Sequence, residues 1–144
     1  MSTWLELADD HLAAARAIHL DHPRSGISRA YYAAYAACCA FFEAYGVAPE
    51  AHPTSGEGWY PHHRLTANIR LVAGTWSDFG GSIWTGGEAE LLERMVDKLR
   101  MARVDADYHP EEMVGQEDAR DVLRDAHYVY QTIAAMLEDG HEPG

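Results

Sequence analysis

The sequence predicts an all-α fold: an antiparallel up-and-down helical bundle of four long helices plus a short fifth. Three observations predict it. Five stretches carry apolar residues at three- and four-residue spacing, the period of one helix face. Loops rich in Gly, Pro and Ser separate them. No stretch shows the apolar–polar alternation of a half-buried strand.

The first helix is expected from about Thr3 to His19. Ser2 or Thr3 can cap it, with Glu6 placed for a capping box. Leu5, Ala8, Leu12, Ala15 and Ile18 share one face. It should end before Asp21-His22-Pro23, because residues ahead of proline avoid the α region. The second helix is read from Ser25 to Tyr45, with Gly46 as its stop. Tyr31, Tyr35, Cys38, Phe42 and Tyr45 form a stripe, and alanines fill the other sides. Alanine favours helix and lets a neighbouring helix approach closely, so this is the expected central helix.

A loop is expected from Val47 to Pro61, then a short helix from about His62 to Ala73. A second loop, Gly74 to Gly87, holds five glycines with Trp76, Phe79 and Trp84. Long loops without regular structure are often functional or partner-facing, and grouped aromatics, including Trp59-Tyr60, favour a protein interface. The fourth helix is placed from Glu88 to about Asp107. Its acidic first turn suits the positive end of the helix dipole, and Pro110 follows its end. Leu92, Val96, Leu99 and Ala106 define its buried stripe, and Arg103 falls on that stripe. The fifth helix runs from about Gln116 to Leu137, with Ala119, Val122, Leu123, Ala126, Val129, Tyr130, Ile133 and Leu137 inward. The polar segment 138–144 should fray.

The chain of 144 residues reads as one domain, 47% hydrophobic and 24% charged, in the range of soluble globular proteins. Neither a basic leader nor an apolar run of about 20 residues occurs, so a cytoplasmic protein without membrane contact is expected. The net charge of −12 argues against a broad nucleic-acid surface but leaves room for a local basic pocket or a basic partner. Cys38 and Cys39, the only cysteines, are adjacent on a helix and diverge. They read as reduced core residues and give no zinc site.

Two segments concentrate chemistry. One is Ser28-Arg29-Ala30-Tyr31-Tyr32-Ala33-Ala34-Tyr35; the other runs from Leu99 through Arg103 and Asp107-Tyr108-His109 to Pro110. An arginine on an apolar stripe must find an anion or acceptors, since an unpaired buried charge is costly. Asp107, four residues on, or Asp105 would satisfy it as a structural ion pair. Arg29 has its own plain reading, a surface arginine or one paired with a neighbouring helix's carboxylate. The nine histidines lack the spacing of a zinc helix and read as solvated or capping groups. The glycine-rich loop lacks a phosphate-loop lysine and the dinucleotide fingerprint.

Both segments resemble those of the HEPN family, small all-helical prokaryotic domains that include metal-independent ribonucleases and toxins of toxin–antitoxin pairs. The resemblance is close at these two segments and loose from the second helix to the fifth. It implies a homodimer whose two Arg/His sets line one cleft, with RNA as substrate and no cofactor or metal. Catalytic members carry a histidine a few residues after the arginine. Carried over, that pattern makes Arg103 the phosphate-charge stabiliser and His109 the general base on a 2′-hydroxyl. It brings Arg29 and Tyr32 to the same cleft, with Asp107 and Tyr108 as structural or binding residues and His63 as a further site candidate. Val104 departs from the polar residue usual after the arginine. Arg103-Val104-Asp105-Ala106-Asp107-Tyr108 also resembles an Arg-x-x-Ala-Asp-Tyr branch in which the histidine is often absent. That branch implies a non-catalytic module pairing with a nucleotidyltransferase or another basic partner, an antitoxin among them. A plain helical oligomer with a small-molecule pocket is the third reading.

Overall fold

The computed structural model describes residues 3–78 and 88–139. It is mostly helical. α1 spans Trp4–Ile18, α2 Pro23–Ala44, α3 Leu65–Asp78, α4 Glu88–Tyr108 and α5 Gln116–Asp139. α2 touches every other helix, packing on α1, α5, α4 and α3. Its small residues explain that position: Ala30, Ala33, Ala34, Ala36 and Ala37 are all buried, together with Tyr31, Cys38, Cys39, Phe41 and Phe42. Among the described residues, no helix is long and apolar enough to cross a membrane.

Thr3 caps α1, its Oγ1 accepting from the Glu6 N–H at 3.1 Å. α2 begins at Pro23, two residues before the expected Ser25. Proline suits the first helical position, because its φ is preset and its missing N–H would have had no helical partner. Gly26 lies where α2 crosses the end of α1. A Cβ there would sit 2.6 Å from the Cα and Cβ of His19, so the crossing requires glycine.

Two sequence expectations need correction. The Val47–Pro61 connection contains a small antiparallel hairpin, β1 (Glu50–Ala51) with β2 (Gly58–Trp59), paired Glu50 to Trp59 and Ala51 to Gly58. Two-residue strands are too short to show an alternating pattern. The helix expected over His62–Ala73 is a 3-10 turn, His62–Arg64, leading into α3, which continues to Asp78. The interior Gly74 costs about 1 kcal/mol relative to alanine, which does not end a helix on its own. The expected Gly74–Gly87 loop is therefore helical over its first five residues. The rest of that loop lies outside the described residues. Of the segment 138–144 expected to fray, Glu138 and Asp139 continue α5, and the remainder lies outside the described residues.

The hairpin aromatics fold back onto their own chain. Tyr60 is buried, donates to the Val47 carbonyl at 2.8 Å and packs its ring on Phe42. On α4 and α5 most of the expected stripe residues are buried: Leu92, Val96, Leu99 and Ala106, then Ala119, Val122, Ala126, Val129 and Ile133, while Leu123, Tyr130 and Leu137 are partly buried against the core. Lys98 and the buried Asp125 join these two helices at 3.0 Å.

Candidate functional site

The chemistry-bearing segments of α2 and α4 meet. Helical spacing sets Arg24, Ser28, Tyr31 and Tyr32 along the side of α2 that faces α4. Ser28 Oγ donates to Asp107 Oδ2 at 3.2 Å. At the start of α2, the Arg24 guanidinium clasps the last turn of α4. Its Nη1 faces the carbonyls of Asp105, Ala106 and His109 at 3.0–3.2 Å, and its Nη2 reaches those of Pro110 and Glu112. These are carbonyls that a helix end leaves unpaired, and a cation suits the negative end of the dipole. The composition of α2 gave no sign of this clasp.

Arg103 occupies the crevice between the two helices, with 20% of its side chain exposed. Its Nη2 donates to Tyr32 Oη at 3.0 Å and lies 3.5 Å from Tyr108 Oη. The guanidinium carbon sits 5.3–5.9 Å from the ring centres of Tyr31, Tyr32 and Tyr108, within cation–π range. Nε lies 3.0 Å from Asp107 Oδ2, yet its N–H is not aligned on that oxygen, so the contact is Coulombic and the buried Nε–H has no hydrogen-bond acceptor among the described residues. Nη1 has no hydrogen-bond partner among the described residues. Burial works against the charge, and the oxygens of Tyr32, Tyr108 and Asp107 outweigh it, so the group stays protonated.

His62, the first residue of the 3-10 turn, closes the same crevice. Its ring stacks on Tyr35 at 4.1 Å between centres, and its Nδ1 lies 2.6 Å from Tyr31 Oη. Tyr35 is fixed in turn by donating to the Tyr60 carbonyl at 2.6 Å. Burial, then Arg103 and Arg100, hold the His62 imidazole below its ordinary pKa, so it is neutral near pH 7. Burial likewise pushes the Tyr31 and Tyr35 hydroxyls well up, and they keep their protons. Arg100, half-buried, makes no ion pair among the described residues. In a chain of net charge −12, Arg103 thus sets a cation among three tyrosine rings, and Arg100 adds a second positive charge that acts on His62 and Tyr31. Such a setting suits a phosphate.

Of the sequence candidates, Arg103, Tyr32, Asp107 and Tyr108 come together here. Tyr108 is 64% exposed and forms the outer rim. Arg29 is exposed and turns to α1, where its Nη1 lies 3.2 Å from His11 Nδ1; it joins the cluster only through the contact of His11 with the Tyr32 ring. Burial, then Arg29, lower the His11 pKa, which Asp10 partly opposes. His109 is 45% exposed, pairs with Glu111 at 2.9 Å and lines a groove on α4 with Asp97, Arg100, Met101, Val104 and Asp105. Arg100 lines that groove and also acts electrostatically on His62 and Tyr31. His63 is exposed, and the neighbouring His62 occupies the crevice. Adjacent residues diverge, and the sequence gave no register for the 3-10 turn; the lone signal was the His62-His63 pair after a Tyr-Pro.

No family model matches the chain, and no curated protein matches it.

Proposed function

We propose that the chain is a HEPN-like antiparallel bundle of four long helices and a short fifth, acting as a homodimer in a toxin–antitoxin or defence-type system. It cleaves RNA without a metal at a cleft built from Arg103 and His109. The carrying observation is the placement of Arg103: part-buried between α2 and α4, ringed by tyrosines, with Nη1 unengaged. A phosphodiester seated there meets a delocalised cation and aromatic faces on which a base can stack. His109 takes the 2′-hydroxyl proton, the 2′-oxygen attacks phosphorus, and the bond to the 5′-oxygen breaks. A 2′,3′-cyclic phosphate forms while Arg103 stabilises the charge on the phosphoryl oxygens. Arg29, Tyr32, Asp107, Tyr108 and His63 serve as substrate- or partner-binding residues of the reading, with Tyr32 and Asp107 fixing Arg103 directly.

A second reading is a non-catalytic binding module that pairs with a nucleotidyltransferase or another basic partner. One observation favours it: the His109 imidazole is engaged by Glu111 and lies beside Val104 in the outer groove, not among the tyrosines.

Incubating the purified protein, freed of any co-purifying partner, with mixed RNAs in EDTA separates the two. Cleavage to cyclic-phosphate ends that His109→Ala abolishes, with the fold intact by circular dichroism, supports the enzyme. Intact RNA at a large excess of protein leaves the binding module.

A further inference from the structure

We propose that His62 is a phosphate-binding residue, donating its Nε2–H to a phosphodiester oxygen held at Arg103. The inference rests on the reading of the Arg103 crevice as a phosphate site and adds a ligand that neither chemistry-bearing segment contains.

Tyr31 Oη has one hydrogen-bond partner among the described residues, His62 Nδ1 at 2.6 Å. If Nδ1 carried the proton, the Tyr31 hydroxyl hydrogen would lack an acceptor in a buried place, which is costly. Tyr31 is 1% exposed and keeps its proton because burial pushes its pKa up. The hydroxyl therefore donates, Nδ1 accepts, and the ring proton resides on Nε2. Nε2 has no partner among the described residues, and it is not among the buried unpaired atoms.

The ring is also held in place. It stacks on Tyr35, meets Tyr32 edge-on at 6.0 Å, and touches Trp59 of β2 at 6.3 Å. From α4, the Arg103 and Arg100 cations act on it, with Asp107 beyond Arg103. From α2 its ring meets those of Tyr31, Tyr32 and Tyr35. Arg103 lies over the Tyr31 and Tyr32 rings, the same two rings that His62 meets. A neutral imidazole with a free N–H that shares its aromatic neighbours with a guanidinium is arranged for an anion. A protonated one would repel Arg103, and an Nε2 lone pair would repel the phosphate.

The test uses the full chain and a 2′-O-methyl oligoribonucleotide, which binds but cannot be cleaved by its own 2′-oxygen. Affinity is measured by fluorescence anisotropy for wild type, His62→Phe and Arg103→Gln. His62→Phe keeps the stacking and removes the donor, and a lost hydrogen bond to a charged group should weaken binding about tenfold. Arg103→Gln should weaken it at least as much. In wild type, the 15N spectrum should show His62 protonated at Nε2 and bare at Nδ1, with Nε2 moving as the oligonucleotide is added. Unchanged affinity in His62→Phe with a loss in Arg103→Gln overturns this inference alone. Unchanged affinity in both variants, or no binding by wild type, overturns the phosphate site itself. If His62→Phe does not fold, the wild-type Nε2 resonance decides: a stationary Nε2 at saturation contradicts the proposal.

Discussion

Arg103 Nη2 donates to Tyr32 Oη at 3.0 Å, and this bond ties the buried stripe of α4 to α2 at the mouth of the crevice. The bond orients the guanidinium so that Asp107 approaches Nε while Nη1 stays unengaged. Tyr32→Phe keeps the ring face and removes the acceptor. The expected loss is about 1 kcal/mol, the usual worth of a part-exposed hydrogen bond to a charged group. Urea unfolding of Tyr32→Phe, Arg103→Gln and the double variant checks it, with the double variant less destabilised than the sum.

Asp107 serves the site by fixing Arg103, and its carboxylate also competes with an anion for that guanidinium. Asp107→Asn removes the carboxylate charge 3.0 Å from Nε and leaves a group that still accepts from Ser28. Oligonucleotide affinity should rise about two- to fivefold, matching the roughly 0.2–1 kcal/mol of a part-exposed ion pair. A fall in affinity would show that Asp107 itself contacts the ligand.

The Arg24 clasp predicts local fraying. Arg24→Ala strips the carbonyls of residues 105–112 of their shared donor. Stability should fall by about 1–2 kcal/mol, the scale of a part-exposed set of charge-assisted hydrogen bonds. Hydrogen exchange should accelerate at the amides of His109 and Glu112, which bond the Asp105 and His109 carbonyls. Arg24→Lys should not restore protection, because one ammonium cannot span the carbonyls that a planar fork reaches.

Gly26→Ala tests the α1–α2 crossing. The new Cβ meets His19 backbone and Cβ at 2.6 Å, so the helices must separate. Overpacking of this kind costs about 1–3 kcal/mol. The midpoint of thermal unfolding should drop, although alanine is the better helix former.

The pH dependence of stability follows from His62 and His11, whose folded pKa values lie below the ordinary 6.5. Below that pH the unfolded chain takes up protons that the folded state refuses, so these groups favour folding fully above pH 6.5 and progressively less as pH falls toward their folded values. The 23 acidic residues work the other way, since acid relieves self-repulsion in a chain of charge −12. The clean readout is a difference. Between pH 7.5 and 5.5, His62→Phe should lose less stability than wild type.

Much of the fold was legible because burial follows the helical period. Leu92, Val96, Leu99 and Ala106, and Ala119 through Ile133 on α5, lie where that period puts them. Arg103 was legible as a cation on an apolar stripe, and Asp107 as its partner four residues on. The convergence of the two segments came from a family resemblance and not from spacing. What stayed hidden was long-range or irregular. The Arg24 clasp joins residues more than eighty positions apart. The hairpin strands are too short to show a period, and the register of the 3-10 turn alone decides whether His62 or His63 faces Tyr31.

The most direct test of the Arg103 crevice is its own Nε resonance. The buried Nε–H, with no hydrogen-bond acceptor among the described residues, should give a resolved signal in a 1H–15N spectrum of arginine side chains. Adding the 2′-O-methyl oligoribonucleotide should shift that signal saturably, at the affinity seen by anisotropy and with loss at high salt. An Arg103 signal that stays fixed while the protein is saturated would place the ligand elsewhere and contradict the account.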